Sequence, residues 1–209
     1  MTGQPYSIKI SNKSLLQGQN AIVFQQQPTL PQDVYSLAWL AKACNPGTWV
    51  NFDWTVDFNF VWGQNGVLKP GVKYEAGQVV PADLSNNNQV TLTYPNGGFM
   101  FGPTGRGPLV GSLFIGQGDD VPGAGSVGQG SVGIGMAGSG TFVTGTQPTG
   151  AGGVQFEISP VYWVAFGSYE EGTVVTEDIL TFPTELAFPT GMLHAECAFT
   201  GLGWDVVYS

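Results

Sequence analysis

The sequence predicts an all-β fold: an antiparallel β-sandwich of about ten to twelve strands with one short α-helix, in a single domain over residues 1–209. Apolar residues recur at every second position in many short segments, which is the pattern of half-buried strands. Between these segments lie clusters of glycine, proline and asparagine, the residues that tight turns require. A chain of 209 residues without a compositional break is also long enough for one core that needs no metal or disulfide.

The first strands are visible as alternations. Tyr6, Ile8 and Ile10 face one way, and AIVFQ at 21–25 forms a second segment. The clearest alternation is WVNFDWTVDFNFVW at 49–62, where apolar residues fill the even positions through Phe60 and Asn, Asp and Thr fill most of the odd ones. A helical face needs spacings of three and four. We therefore predict one long, bent strand with one face in the core.

One segment departs from the strand pattern. DVYSLAWLAKAC at 33–44 places four small or apolar residues at helical spacing: Leu37, Leu40, Ala41 and Cys44. Asp33 fits the N-cap position, and Pro46 and Gly47 follow where a helix would end. We expect one helix of about three turns here.

The rest of the chain reads as short strands separated by turns. These segments are VKYEAGQVV, QVTLTY, GFMFG, GSLFIG, VGIGMAG, TFVTG, VQFEIS, YWVAFG, GTVVTE, TELAF, LHAECAFT and WDVVYS.

Charge and hydropathy argue against several partners. Six basic against fifteen acidic residues give a net charge of −9, and Arg106 is the single arginine, so nucleic acid is a poor partner. No apolar run is long enough to span a bilayer, and the start has no secretory pattern, so we expect no membrane insertion and a cytoplasmic location. Cys44 and Cys197 follow no metal spacing and are expected to be buried thiols in a reducing compartment.

A glycine-rich repeat, GAGSVGQGSVGIGMAGSG, occupies residues 123–140. It contains two matches to the dinucleotide-binding glycine pattern, but no helical segment follows, so nucleotide binding is not expected. A silk-like stack is excluded because a period of five moves the glycines from one strand face to the other. We expect a loop that runs into a strand near Val132, in which contacts from a neighbouring subunit could fix the glycines.

No cluster of residues points to catalysis or to a metal. On a strand, His194 and Glu196 share one face and Cys197 takes the other, so these three side chains cannot bind one ion. His194 is the single histidine, and no nucleophile-elbow motif accompanies it. We expect no catalytic, metal or cofactor site.

The carboxylates leave two weaker alternatives open. Asp53 and Asp57 are about 13 Å apart along an extended strand, beyond the range of glycosidase pairs, although either could pair with another acid. A hydrolase therefore stays a third hypothesis. The acidic turn at 118–120 could supply calcium ligands, but an ordinary turn is the commoner interpretation.

The aromatic residues suggest a surface for contact. Most of the six tryptophans are expected in the core, but Trp49 shares the polar face with Asn51 and Asp53. An exposed aromatic beside amide and carboxylate groups suits a sugar ring or a subunit interface. The candidate glycan or interface contacts are Trp49, Asn51, Asp53 and Trp62.

Several stretches resemble the rhizosphere-induced protein RhiA family of bacteria. They are VYSLAWLAKACNPGTWVNFDWTVDFNFVWGQNGVLKPGV at 34–72, VPADLSNNNQVTLTY at 80–94, GPLVGSLFI at 107–115, SVGIGMAGSGTFV at 131–143 and YWVAFGSYEEGTVV at 162–175. The extra SVGQG at 126–130 departs from the family pattern. The resemblance implies a soluble, cytoplasmic bacterial protein of plant-associated or soil life, distantly akin to AidA/PixA-type inclusion-body proteins. It brings no catalytic motif and no site residues.

These observations favour a non-enzymatic protein that acts by self-association, as a homo-oligomer or a larger structural assembly. Low charge, exposed aromatic residues and adaptable glycine segments support this expectation. The alternative is a carbohydrate-binding, lectin-like module.

Overall fold

The computed structural model describes residues 4–26, 30, 33–123, 125, 129–148, 153–158, 161–176 and 180–209. In these ranges the chain is all-β, with seventeen strands and a single 3₁₀ turn at Pro95–Gly97. The strands are β1 (Pro5–Asn12), β2 (Asn20–Gln25), β3 (Val34–Ser36), β4 (Ala38–Ala43), β5 (Trp49–Thr55), β6 (Phe58–Gly63), β7 (Gln78–Pro81), β8 (Gln89–Thr93), β9 (Met100–Phe101), β10 (Ser112–Gln117), β11 (Ser131–Met136), β12 (Ser139–Thr144), β13 (Val154–Glu157), β14 (Tyr162–Gly167), β15 (Thr181–Leu186), β16 (His194–Phe199) and β17 (Trp204–Tyr208).

The strands form four sheets. Sheet A has the order β17-β16-β1-β5, sheet B β15-β14-β2-β4, sheet C β3-β12-β11-β6-β7 and sheet D β13-β10-β8-β9. Most neighbours are antiparallel, as predicted, but β1 pairs with β16 and β8 with β10 in parallel. Parallel neighbours need long connections, which period-two alternation alone does not reveal.

The sheets pack as two pairs around two cores. Side chains from all eight strands of sheets A and B meet in one hydrophobic cluster, which defines the first sandwich. Sheets C and D enclose another cluster, which defines the second sandwich. The all-β prediction is thus confirmed, whereas the expected single sandwich of ten to twelve strands is not.

The alternating run at 49–62 is divided between the two sandwiches. β5 lies in sheet A and β6 in sheet C, and the chain bends between them at residues 56–57. Phe52, Trp54 and Phe60 are buried as the pattern predicted. The predicted single strand is therefore two strands, and the bend between them is where the chain leaves one sheet for another.

The predicted helix at 33–44 is wrong, because this segment forms β3 and β4. Its apolar residues are buried in four different clusters: Val34 in the second core, Trp39 in the first, and Leu37 and Ala38 in two smaller clusters on other sheet faces. Asp33, the expected N-cap, has a φ of 64°, outside the extended range that caps adopt. The helical spacing arose because the chain crosses from sheet C to sheet B.

The second half of the glycine repeat forms a hairpin of β11 and β12. A Cβ at Gly135 would collide with the Ser139 carbonyl oxygen, so only glycine permits this close approach. Ala137 and Gly138 connect the strands with φ of 50° and 82°, the positive values of a tight hairpin turn. β11 begins at Ser131, which confirms a strand near Val132. Residues 124 and 126–128 of the repeat lie outside the described ranges.

Candidate functional site

The outer face of sheet A carries three of the four predicted contact residues. Trp49, Asn51 and Asp53 are exposed on β5, while Phe52 and Trp54 point into the first core. Alternation along an edge strand explains this division, because side chains there face the core and the solvent in turn. Trp49 is 59% exposed, as expected for the exceptional tryptophan.

Neighbouring strands add charged groups beside Trp49. Lys9 on β1 lies opposite Asn51 and also opposite Glu196 on β16. Its ammonium is 3.3 Å from the Glu196 carboxylate and 5.8 Å from the centre of the Trp49 ring. An exposed ion pair of this kind contributes little to stability. Its effect is to hold a cation beside the indole, on an otherwise open polar surface.

The next row of the same face brings together Asp53, Ser7 and His194. These residues are register partners across β5, β1 and β16. The Ser7 hydroxyl lies 2.8 Å from Nδ1 of His194 and donates a hydrogen bond when that nitrogen carries no proton. All three residues line a depression of about 600 Å³ at the edge of the sheet.

Sequence reasoning did not find Ser7. Its outward direction follows from the alternation of β1, but its contact with His194 depends on the parallel pairing of strands that are 187 residues apart. No local sequence pattern indicates such a pairing. The geometry provides a polar subsite with a hydroxyl, an imidazole and a carboxylate on one row.

Trp62 does not join this surface. It belongs to β6 in sheet C, and its Nε1 donates a 2.7 Å hydrogen bond to Oε1 of Gln78. The ring packs against Phe99 at a centroid distance of 6.0 Å and against Gly77, where a Cβ would lie 2.6 Å from the ring. Trp62 therefore serves the packing of the second sandwich, and the predicted group of four residues is divided between two sheets.

His194 and Glu196 face outward and Cys197 is buried, as predicted for LHAEC. Both cysteines are free and buried. Burial raises the pKa of the Cys197 thiol to about 12, so the thiol stays protonated at neutral pH. Within the described ranges, no three His, Cys, Asp or Glu side chains are grouped as metal ligands.

Asp57 and Asp120 both accept hydrogen bonds. Asp57, at the bend between β5 and β6, accepts a hydrogen bond from the Thr55 hydroxyl. In the acidic turn, Oδ2 of Asp120 accepts a 2.8 Å bond from the backbone N–H of Tyr94. This contact ties the turn to the segment that follows β8.

Two exposed leucines lie in turns at one end of sheet A. Leu15 follows β1 and is 91% exposed, and Leu202 follows β16 and is 90% exposed. The turns adjoin each other, since the Lys13 N–H donates a 2.8 Å bond to the Phe199 carbonyl. We call this pair the leucine turns.

Both leucine turns are held by hydrogen bonds. The Asn12 amide donates to the Leu16 carbonyl and accepts from Ser14, so the backbone on both sides of Leu15 is tied. In the other turn, the Thr200 N–H donates a 2.9 Å bond to the Gly203 carbonyl. The two apolar side chains are thus presented on ordered backbone.

A family model described as RhiA matches residues 3–208. The chain is 34% identical over 199 residues to Protein RhiA of Rhizobium leguminosarum bv. viciae, an alignment that covers 92% of this chain and 81% of that protein. No solved structure matches the chain. No helix in the part of the chain that the structure describes is long and apolar enough to cross a membrane. The match to the family model covers the strands of both sandwiches. The chain therefore belongs to the RhiA family.

Proposed function

We propose that this protein acts without catalysis, by associating with further copies of itself into a homo-oligomer or a larger assembly. The observation that carries the proposal is the pair of leucine turns. Leu15 and Leu202 are almost fully exposed, although the backbone of both turns is fixed by hydrogen bonds. An apolar side chain on an ordered backbone loses only its own rotamer freedom when a partner covers it.

The position of the turns suits contact between identical chains. β1 and β16 run in parallel, so the turns that follow them share one end of sheet A. A single patch that holds both leucines can meet the same patch on a second copy around a twofold axis. Burying one leucine side chain contributes about 1.5–3 kcal/mol, so four leucines in such a contact supply a useful share of the association free energy.

Composition supports the same proposal. Charged residues make up only 10% of the chain, which leaves fewer side chains to desolvate when copies meet. The two free, buried thiols fit a reducing cytoplasm as the working compartment.

Sedimentation velocity and light scattering over a range of protein concentrations test the proposal. The mass of the wild-type protein should rise with concentration, and electron microscopy should show whether the assembly is closed or filamentous. Leu15→Ser with Leu202→Ser should move association to at least about tenfold higher concentration, because two apolar contacts are lost per chain.

Leu109→Ser is the matched control. Leu109 is 53% exposed in the second sandwich, away from the leucine turns, and its replacement should leave association unchanged. A wild-type protein that stays strictly monomeric at high concentration contradicts self-association. If the wild type and the double variant associate equally, the leucine turns are not the contact between copies.

Carbohydrate binding is the second candidate function. Exposed Trp49 beside Asn51, and Asp53 beside Ser7 and His194, favour it. Sugar rings pack on aromatic faces, while amide, carboxylate and hydroxyl groups bond their hydroxyls. A glycan array decides the question: binding that Trp49→Ala abolishes supports a lectin-like module, and an array without binding excludes it for the glycans presented.

A further inference from the structure

A cavity of about 500 Å³ opens at the other end of the first sandwich, where β1 begins. The beginnings of β1 and β14, the bend after β5 and the end of β15 surround it. This volume lies in the range of small-molecule sites. The cavity is at the opposite end of β1 from the leucine turns, so it is independent of the proposed self-association surface.

Three aromatic rings line the cavity. Tyr6 and Phe188 lie at a centroid distance of 5.0 Å with their planes at 80°, and Tyr162 and Phe188 at 5.9 Å and 88°. Trp54 stacks behind Tyr6 at 5.8 Å and contacts Tyr162 at 4.9 Å. The rings therefore form a supported wall that offers faces and edges in several directions.

The charged side chain named in the cavity lining is a carboxylate. Among the described residues that line the cavity, Glu185 is the one ionisable acid or base other than tyrosine, and Gln4 adds an amide. Glu185 is exposed on β15 and forms none of the ion pairs found in the described ranges, which join Lys9 to Glu196 and Lys73 to two other glutamates. The carboxylate can thus accept a ligand cation without first breaking an ion pair.

The buried side of the cavity carries the hydroxyl of Tyr162. Tyr162 is 4% exposed, and its hydroxyl lies beside the Trp54 indole. Burial raises the pKa of Tyr162 to about 12, with a smaller opposing contribution from the Trp54 indole, so the hydroxyl stays neutral. An uncharged hydroxyl leaves Glu185 as the source of the site's negative charge.

We propose that this cavity binds a small organic cation, with a methylated or primary ammonium group against the aromatic wall and near Glu185. Aromatic faces attract such cations, and the attraction grows when the site excludes water. The carboxylate adds a direct charge contact, and the chain's net charge of −9 favours the approach of cations. A neutral sugar would use the aromatic wall but not the charge of Glu185.

Isothermal titration calorimetry with choline, tetramethylammonium and dimethylbutanol tests the proposal. Dimethylbutanol has the shape of choline, with carbon in place of the charged nitrogen. We expect one choline site per chain. Binding of dimethylbutanol should be at least about tenfold weaker, because the neutral analogue loses the cation–π attraction to the rings and the ionic contact with the carboxylate. Equal binding of both compounds, or no binding of either ammonium ion at millimolar concentration, overturns the proposal.

Two variants assign the binding to the cavity. Glu185→Gln and Phe188→Leu should each weaken choline binding about fivefold. Asp119→Asn and Phe182→Leu remove a comparable carboxylate and ring outside the cavity, and they should leave binding unchanged. Glu185 is exposed, so its variant should keep the wild-type unfolding temperature, and unchanged choline binding by a folded Glu185→Gln protein excludes this cavity as the site.

Discussion

β5 and β6 come from one alternating run of sequence, yet they lie in different surroundings. β5 is the edge strand of sheet A, and its outer face, with Trp49 and Asn51, is open to water. β6 is an interior strand of sheet C and is buried on both faces: Phe60 lies in the second core and Val61 under the segment that contains Leu68 and Tyr74. Alternation thus identifies the strand but does not say whether its polar face meets solvent.

Asn59 shows how β6 accommodates a polar residue on a covered face. It is 3% exposed, and its side chain accepts a 3.1 Å bond from the Gly138 N–H and approaches the Ser139 carbonyl at 3.4 Å. The amide therefore satisfies the backbone of the β11–β12 turn. Asn51, at an equivalent place in the pattern, is exposed on β5.

The inner faces of the two strands should be equally sensitive to truncation. Phe60→Ala removes a ring that is 0% exposed, and it should lower the free energy of unfolding by about 3–5 kcal/mol. Phe52→Ala, at 2% exposed, should give a loss in the same range. Urea denaturation measures both values, and a loss below about 1 kcal/mol for either variant contradicts the assignment of that residue to a core.

Replacing a tryptophan at each end of the run should lower the free energy of unfolding by different amounts in the two strands. Trp62→Ala removes a half-buried ring and its bond to Gln78, with an expected loss of about 2–3 kcal/mol. Trp49→Ala should change the free energy of unfolding by less than about 0.5 kcal/mol, because the ring is mostly exposed. A loss of several kcal/mol at Trp49 would mean that it is a core residue and would remove it as a contact for glycans.

Replacing an asparagine on the polar face of each strand should give the smallest difference in the free energy of unfolding. Asn59→Ala leaves the Gly138 N–H without its buried partner and should cost about 1–3 kcal/mol. Asn51→Ala should cost less than about 0.5 kcal/mol, since its side chain is exposed. Equal values for the two variants would show that the outer faces of β5 and β6 do not differ in burial.

The same two strands show what could be predicted from the sequence. The all-β class, the burial of Phe52 and Phe60 and the exposure of Trp49 follow from period-two alternation. The division of the run between two sheets does not, because nothing local says that the chain changes partners at the bend. The failed helix at 33–44 has the same cause, since that segment also crosses between sheets.

The candidate sites were predictable to a smaller degree. Trp49, Asn51 and Asp53 were found because they share one face of one strand. Ser7 and the aromatic wall of Tyr6, Tyr162 and Phe188 were not found, because they assemble from segments far apart in the chain. Such contacts depend on strand order, which hydrophobic periodicity does not contain.

The parallel pairing of β1 with β16 affects how the molecule is made. The strands of the second sandwich fall between residues 34 and 157, whereas β1 meets β16 across 187 residues of chain. On the ribosome, the second sandwich can close while β1, which also pairs with β5, still lacks its other neighbour β16, so the first core that holds Ile8 and Ile10 stays incomplete. Chaperones that act during synthesis should therefore engage the early strands of the first sandwich and release them when residues 194–199 emerge.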